Sequence, residues 1–166
     1  MPHPAISSTI WPPAPISPAV KDLLGRFFHL ADQKDDNVGT VLAEEVFTPD
    51  GRFVTANGAF EGKEQIATSR AGAWTVVTFR KHTVDKVYAT GVNPSGEGVT
   101  DIVLTGRLET RTKDSGSVVG TVTDFAARVV FVGGGDDDKS GESAGWRIRE
   151  YQAWIGRSTT SSGPKA

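Results

Sequence analysis

The spacing of hydrophobic residues changes once along this chain, and the change restricts the folds that it can adopt. Between Val20 and Ala31 the apolar residues recur at steps of three and four, which predicts an amphipathic helix. From Lys81 onward they alternate with polar residues in long runs, which predicts strands. Helices first and antiparallel strands afterwards indicate an α+β domain, with helices packed on one face of a strongly curved, mainly antiparallel sheet.

Three helices are predicted in the first half of the chain. The first covers residues 17–34, because Ser17 is a suitable N-cap and Pro18 suits the first helical position. A shorter second helix follows the capping signal Asp36-Asn37. The third covers residues 62–71. Together these helices are expected to close the open side of the curved sheet.

A turn and a hairpin are predicted between the second and third helices. Thr48-Pro49-Asp50-Gly51 is typical of a turn, and a short strand is expected after it at residues 52–56. Asn57-Gly58 is a hairpin signal that returns the chain through Ala59-Phe60.

The second half of the chain is predicted to form longer strands. They cover residues 81–89, 100–112, 118–132 and 146–155. In the first of them, His82, Val84 and Tyr88 are expected on one side. Lys113-Asp114-Ser115-Gly116 predicts a hairpin between the middle two. Residues 133–145 are expected to be a mobile loop, whose Asp136-Asp137-Asp138 lacks the ligand spacing of a calcium loop.

The length and composition favour one globular domain with two disordered ends. A chain of 166 residues with 37% hydrophobic content can bury a core, which we assign to residues 17–155. Residues 1–16 contain five prolines among small residues and are expected to form an extended, largely disordered arm. Residues 156–166 are expected to be a disordered polar tail.

The composition also argues against several classes of function. The net charge is -2 and the basic residues are scattered, so no nucleic-acid partner is expected. The chain has no cysteine, and its histidines, His3, His29 and His82, match no metal-ligand spacing, so neither a thiol site nor a metal is expected. It has no apolar run of eighteen residues and no signal peptide, so we expect no membrane partner and a soluble, cytoplasmic protein.

Asp32 is the first candidate for a chemical group. It follows Leu24 and Phe28 at steps of four, so its side chain is expected to point toward the same interior as the phenylalanine. The helix dipole gives no reason for a carboxylate at this end, because the C-terminus of a helix is negative. The alternative interpretation is that Asp32 lies at a frayed helix end and faces water.

A curved sheet closed by helices encloses a concave pocket of the kind that binds small molecules. Its outer face would then be a natural surface for a homodimer.

Asp124 lies in either the inward or the outward row of its strand. If it faces inward, it is an acid/base group or a partner of Arg128. If it faces outward, it belongs to a cross-strand surface pair. The aromatic residues that are candidates to line the pocket, and otherwise belong to the core, are Phe28, Phe53, Trp74, Tyr88, Trp146, Tyr151 and Trp154.

Three segments of the sequence resemble the SnoaL-like branch of the nuclear transport factor two-like superfamily. They are the segment from Phe28 to Phe60, the strand start Arg80-Lys81-His82-Thr83-Val84 and the final Gly145-Trp146-Arg147-Ile148. The resemblance spans residues 17–155 and implies a cone-shaped fold around an internal pocket. It specifies the fold better than the reaction, because the superfamily includes dehydratases, isomerases, cyclases, epoxide hydrolases and binding modules.

Two members of the superfamily narrow the chemistry. In scytalone dehydratase an aspartate in a Tyr-Asp-Ser-Lys-Asp pattern acts with a histidine and bound water, and Ala31-Asp32-Gln33-Lys34-Asp35 together with His82 is similar to that arrangement. Ala31 replaces the tyrosine, however, and no histidine stands near Arg107-Leu108-Glu109, so a different substrate is implied. Ketosteroid isomerase fits less well, since Phe27 and Thr55 would occupy the positions of its tyrosine and aspartate.

Asp32 and His82 are therefore predicted to be an acid/base pair. A carboxylate hydrogen-bonded to an imidazole fixes its tautomer and helps it to take up and return a proton. The leading hypothesis is a cofactor-free lyase or isomerase for a small polyketide-like or terpenoid-like substrate. Two alternatives remain: His82 is bonded only to backbone at a strand end, or the same fold is a non-catalytic module that binds a small ligand or a protein.

Overall fold

The computed structural model describes residues 3–92, 98–114, 117–133 and 145–162. Its helices are α1 (Pro18–Asp32), α2 (Val38–Val41) and α3 (Gly62–Thr68), with a π-helical turn after α2 (Leu42–Val46) and a 3-10 turn near the N-terminus (Pro4–Ile6). Its strands are β1 (Phe47–Thr55), β2 (Gly58–Glu61), β3 (Val77–Val92), β4 (Val99–Asp114), β5 (Ser117–Val132) and β6 (Arg147–Ser162).

The strands form one curved six-stranded sheet in the order β2-β1-β6-β5-β4-β3. Neighbouring strands are antiparallel except β1 and β6, which run parallel. The sheet stays open, with β2 at one edge and β3 at the other. The predicted α+β class, with helices before a mainly antiparallel sheet, is confirmed.

Helix α1 supplies much of the core. The Ser17 hydroxyl accepts a hydrogen bond from the Val20 amide at 3.2 Å, which caps the helix as predicted. Phe27 and Phe28 are fully buried, and the Phe27 ring packs against Tyr151 with 4.6 Å between ring centroids. The helix therefore lies across the inner face of the sheet and ends at Asp32 above it.

The predicted turn at residues 48–51 is wrong, because this segment lies inside β1. Phe47 and Phe53 are both buried in the core, so the residues between them follow the sheet. The pairing of β1 with β6 shifts register between Phe47 and Arg52. Pro49 lies in this irregular stretch, where its lack of a backbone N–H interrupts no regular series of hydrogen bonds. The hairpin at Asn57-Gly58 is confirmed, with Thr55 paired to Gly58.

The predicted alternation of β3 is wrong beyond Val84. Its pairing with β4 shifts register between Val84 and Lys86, so Val84 and Val87 are both buried. Tyr88 consequently points away from the helices and is 43% exposed. A single irregular residue thus reverses the faces of the second half of this strand.

The described parts of the two terminal segments, residues 3–16 and 156–162, differ from the predicted disorder. In the N-terminal arm (residues 1–16), Ile6 and Ile16 are buried, and the Ile10 amide donates to the Asp85 carbonyl at the free edge of β3. Burial of these apolar side chains, and coverage of an open strand edge, oppose disorder despite the prolines. The predicted tail continues β6 to Ser162, because β5 is long enough to pair with it.

Several predictions fall on residues outside those that the structure describes. They are the turn residues Ser115 and Gly116, most of the loop at residues 133–145, and its aspartates Asp136, Asp137 and Asp138. The two strands that this turn joins are paired as predicted, from Asp101 with Val130 to Asp114 with Ser117.

Candidate active site

Asp32 and His82 are in direct contact, as predicted. Oδ1 of Asp32 lies 2.5 Å from Nδ1 of His82, and Oδ2 accepts a hydrogen bond from the His82 backbone amide at 2.8 Å. The His82 side chain is 12% exposed and that of Asp32 is 19% exposed. The alternative in which Asp32 faces water from a frayed helix end is therefore wrong, and so is the one in which His82 bonds only to backbone.

The imidazole is held in place by aromatic neighbours as well as by the carboxylate. The Phe28 ring lies 5.1 Å from the His82 ring, and Phe125 meets it edge-on at 5.6 Å. With Nδ1 directed at Asp32, Nε2 lies on the opposite side of the ring. His82 lines a cavity between α1 and the sheet, and Nε2 is the ring nitrogen that does not contact Asp32.

The cavity has a volume of about 180 Å³ and a lining that combines aromatic, aliphatic and polar side chains. Phe27, Phe53, Phe125 and Tyr151 are its aromatic members, and the β1–β2 hairpin borders the cavity at Asn57. Complete burial raises the pKa of Tyr151, so its hydroxyl stays neutral. Such a cavity suits a small ligand with an apolar body and a few polar groups.

Two arginines that the sequence analysis did not identify also line the cavity. Nη2 of Arg70 donates to the Ala31 carbonyl at 2.6 Å, and Nη2 of Arg80 donates to the Ala73 carbonyl at 3.1 Å. Burial lowers the pKa of Arg70 to about 10, with a further lowering from the charge of Arg80. Burial also lowers the pKa of Arg80, whereas the charge of Asp32 raises it. Both side chains remain cations at neutral pH.

The other predicted pocket residues divide between the cavity and positions away from it. Phe53 and Tyr151 line the cavity, whereas Phe28 lies behind His82 and Trp146 is buried in the core. Trp74 lies outside the cavity lining but stacks on the Arg80 guanidinium at 5.3 Å.

Three predicted residues lie on the outer side of the sheet. Tyr88 and Trp154 are 43% and 48% exposed there. Asp124 is exposed and stands opposite Arg107 on β4, which matches the surface alternative. Arg128 is bonded to Asp101 and Glu150 rather than to Asp124. The inward row of β5 is therefore the one that contains Phe125, Ala127 and Val129.

One of the missed arginines had a signal in the sequence. Arg80 stands directly before the strand predicted at residues 81–89 and two positions before His82, so continuing the strand by one residue would have placed the two side chains on one face. Arg70 had no comparable signal, because it follows the last turn of α3 in an irregular segment.

Within residues 3–92, 98–114, 117–133 and 145–162, no group of three or more histidine and acidic side chains is arranged to hold a metal ion. In the same ranges, no helix has the length and apolar character that crossing a bilayer requires.

Comparisons with known proteins identify the fold. No protein-family model and no curated protein match the sequence. Among solved structures, the type 2 hexachlorocyclohexane dehydrochlorinase LinA is 13% identical with a TM-score of 0.57, covering 89% of this chain and 90% of that one. A candidate scytalone dehydratase from Novosphingobium aromaticivorans is 13% identical with a TM-score of 0.54, covering 89% of each chain.

A third similar structure belongs to the family that the sequence motifs resemble. It is a candidate SnoaL-like polyketide cyclase from Shewanella denitrificans, 12% identical with a TM-score of 0.56, and the match covers 84% of this chain and 92% of that one. Identities this low establish the fold and leave the reaction open. The chain has the cone fold of the nuclear transport factor two-like superfamily, as its sequence motifs predicted.

Proposed function

We propose that this protein is a cofactor-free acid/base lyase or isomerase, which acts on a small carbonyl-bearing metabolite of the polyketide or terpenoid type. The observation that carries the proposal is the contact at 2.5 Å between Asp32 and His82, whose side chain lines a cavity. A carboxylate at one ring nitrogen leaves the other as a positioned base, which is the arrangement that general acid/base catalysis requires.

The reaction begins with the neutral imidazole. Nδ1–H of His82 donates to Asp32, and the Nε2 lone pair removes a proton from a carbon next to the substrate carbonyl. The Asp32 carboxylate stabilises the imidazolium that forms. Nε2–H then returns the proton to a leaving group in an elimination or to another carbon in a double-bond migration. In a cyclisation it returns the proton to the alkoxide oxygen that forms when the carbanion attacks a second carbonyl carbon. The aromatic walls limit the access of water to the carbanion.

The structural neighbours support this class of reaction. One is a dehydrochlorinase and another is a candidate dehydratase, and both names describe eliminations. A non-catalytic binding module of the same fold would have no need for an imidazole held by a carboxylate. The burial of Asp32 and the convergence of polar groups on the cavity favour catalysis over that alternative.

Hydrogen–deuterium exchange tests the first step without requiring the natural substrate. A panel of small ketones, β-hydroxy ketones and diketones is incubated with the protein in D2O, and loss of each α-proton is followed by NMR. We expect catalysed exchange with the wild type and a loss of about a hundredfold to ten-thousandfold in His82→Gln. His29→Gln is the matched control, because His29 is exposed on α1 and bonded to Gln33.

Two outcomes would count against the proposal. Equal exchange by wild type and His82→Gln would remove His82 from the proton transfer. No exchange with any panel member would favour the binding module instead.

A further inference from the structure

We propose that Arg70 and Arg80 form a carboxylate-binding subsite, so that the ligand of this cavity is a small organic acid with an apolar body. This inference names the substrate class of the site described above and rests on its proposed function. It depends on three observations: unpaired donors on both arginines, an excess of positive charge, and the position of Arg80 relative to His82.

The two guanidinium groups are under-satisfied in the structure. A guanidinium carries five N–H donors, and within the described residues each of these groups makes one hydrogen bond, to a backbone carbonyl. Nε of Arg70 and Nε of Arg80 are both buried and lack a hydrogen-bond partner there. Cations that are partly buried and whose donors lack protein partners are costly, so a fold that keeps two of them beside a cavity is expected to have an anionic ligand for them.

The charges around the cavity are unbalanced. Across the described ranges, no carboxylate oxygen lies within 4.0 Å of a guanidinium nitrogen of Arg70 or Arg80. The residues lining this cavity include no acidic side chain. Asp32 is the carboxylate whose charge acts on both arginines, but its two oxygens are bonded to His82. The positive charges of Arg70 and Arg80 are therefore opposed by one carboxylate, Asp32, whose oxygens are already hydrogen-bonded. The result is a positive potential that would attract an entering anion.

The geometry favours a carboxylate attached to an apolar body. The planar fork of a guanidinium matches the two oxygens of a carboxylate, and Trp74 holds the Arg80 fork by stacking on it. Phe27, Phe53, Phe125 and Tyr151 also line the cavity, which suits an apolar or aromatic body.

The position of Arg80 relates the subsite to the reaction. Arg80 and His82 share one face of β3, two residues apart, so their Cα atoms are separated by about 6.6 Å. A ligand whose acid group is bound by Arg80 would thus have a carbon atom, a few bonds from that acid group, next to the imidazole of His82.

Calorimetric titration with benzoate tests the subsite independently of turnover, with benzamide as a neutral ligand of similar shape. We expect the wild type to bind benzoate and to bind benzamide about tenfold more weakly or worse, because a charge-assisted pair is lost. Arg70→Gln and Arg80→Gln should each weaken benzoate binding by about tenfold or more. Arg107→Gln is the control, because Arg107 is exposed and paired with Asp85 away from the cavity.

A further variant keeps the test informative if these arginines also support the fold. Arg80→Lys retains the positive charge but loses the planar guanidinium fork. If the arginine binds both carboxylate oxygens, we expect Arg80→Lys to bind benzoate more weakly than the wild type and more tightly than Arg80→Gln. Equal affinity of the wild type for benzoate and benzamide would overturn the proposal, and this measurement requires no variant. Unchanged benzoate affinity in both glutamine variants would also overturn it.

The two proposals fail in different ways. His82→Gln should still bind benzoate, because the arginines are intact. If benzoate binds and His82→Gln retains full exchange activity, the subsite stands and the proposed reaction is wrong. If exchange depends on His82 but benzoate does not bind, the reaction stands and the acid-binding subsite is wrong.

Discussion

At the scale of single residues, the proposed role of Asp32 is to orient an imidazole rather than to touch the substrate. Both of its oxygens are bonded to His82, one to the ring and one to the backbone amide. In Asp32→Asn the side-chain oxygen is still able to accept from one of these donors, but the negative charge is lost. We therefore expect Asp32→Asn to lower exchange activity by about a hundredfold or more.

The same substitution should affect stability much less than activity. Hydrogen bonds to a charged group contribute about 1.5–3 kcal/mol, and the amide replaces part of that. Urea denaturation is expected to show a loss of unfolding free energy no larger than about 3 kcal/mol. Full activity in Asp32→Asn would contradict the orienting role, and complete unfolding would mean that the carboxylate is primarily structural.

The site was predictable where periodicity defines the direction of a side chain. The four-residue step from Phe28 placed Asp32 on the buried face of α1, and the structure confirms this. The arginines were missed because a guanidinium lies several bonds from its backbone, so its position depends on tertiary contacts such as the Ala31 and Ala73 carbonyls. Tyr88 was misplaced because an irregular residue between Val84 and Lys86 reverses the strand.

At the scale of secondary-structure elements, close packing of α2 against α3 depends on Gly39. A Cβ atom built on Gly39 would overlap the backbone carbonyl oxygen of Ala67, and backbone cannot move aside as a side chain can. We expect Gly39→Ala to lower the unfolding free energy by about 1–3 kcal/mol, as overpacking usually does. Urea denaturation measures the change.

Gly72 provides the matched control for this prediction. A Cβ atom at Gly72 would have no neighbour within 4 Å, so Gly72→Ala should change stability by less than about 0.5 kcal/mol. Equal effects of the two substitutions would show that backbone entropy, and not the approach of the two helices, decides the outcome.

The elements themselves were predictable to different degrees. Helix α1 was located from its cap and its stripe, and the long strands from their alternation. The Thr48–Gly51 segment suggested a turn because proline and glycine are local breakers, yet burial of the flanking Phe47 and Phe53 keeps it in the sheet. The arm was similarly misjudged, since its prolines were visible in the sequence and the strand edge that it covers was not.

At the scale of the whole molecule, we propose that the outer face of the sheet forms a homodimer interface. Trp154 is 48% exposed on this face, and Tyr88 and Val122 are 43% and 40% exposed. Light scattering coupled to size-exclusion chromatography is expected to give twice the chain mass of 17.7 kDa.

A charge at the centre of this face should separate the two copies. Trp154→Lys is expected to shift the protein toward the monomer mass, because it removes a large apolar contact and adds like charges across the symmetry axis. Lys113→Ala is a control at an exposed position on the same sheet. A wild-type protein that is monomeric at high concentration would contradict the proposed interface.

The tautomer of His82 tests the central claim most directly. Long-range nitrogen–proton NMR of the wild-type protein, through a pH titration, distinguishes the two ring nitrogens. If Asp32 accepts Nδ1–H and Nε2 is the base facing the cavity, the neutral ring of His82 will carry its proton on Nδ1. A neutral ring protonated on Nε2 would leave no base directed at the ligand and would contradict the proposed mechanism.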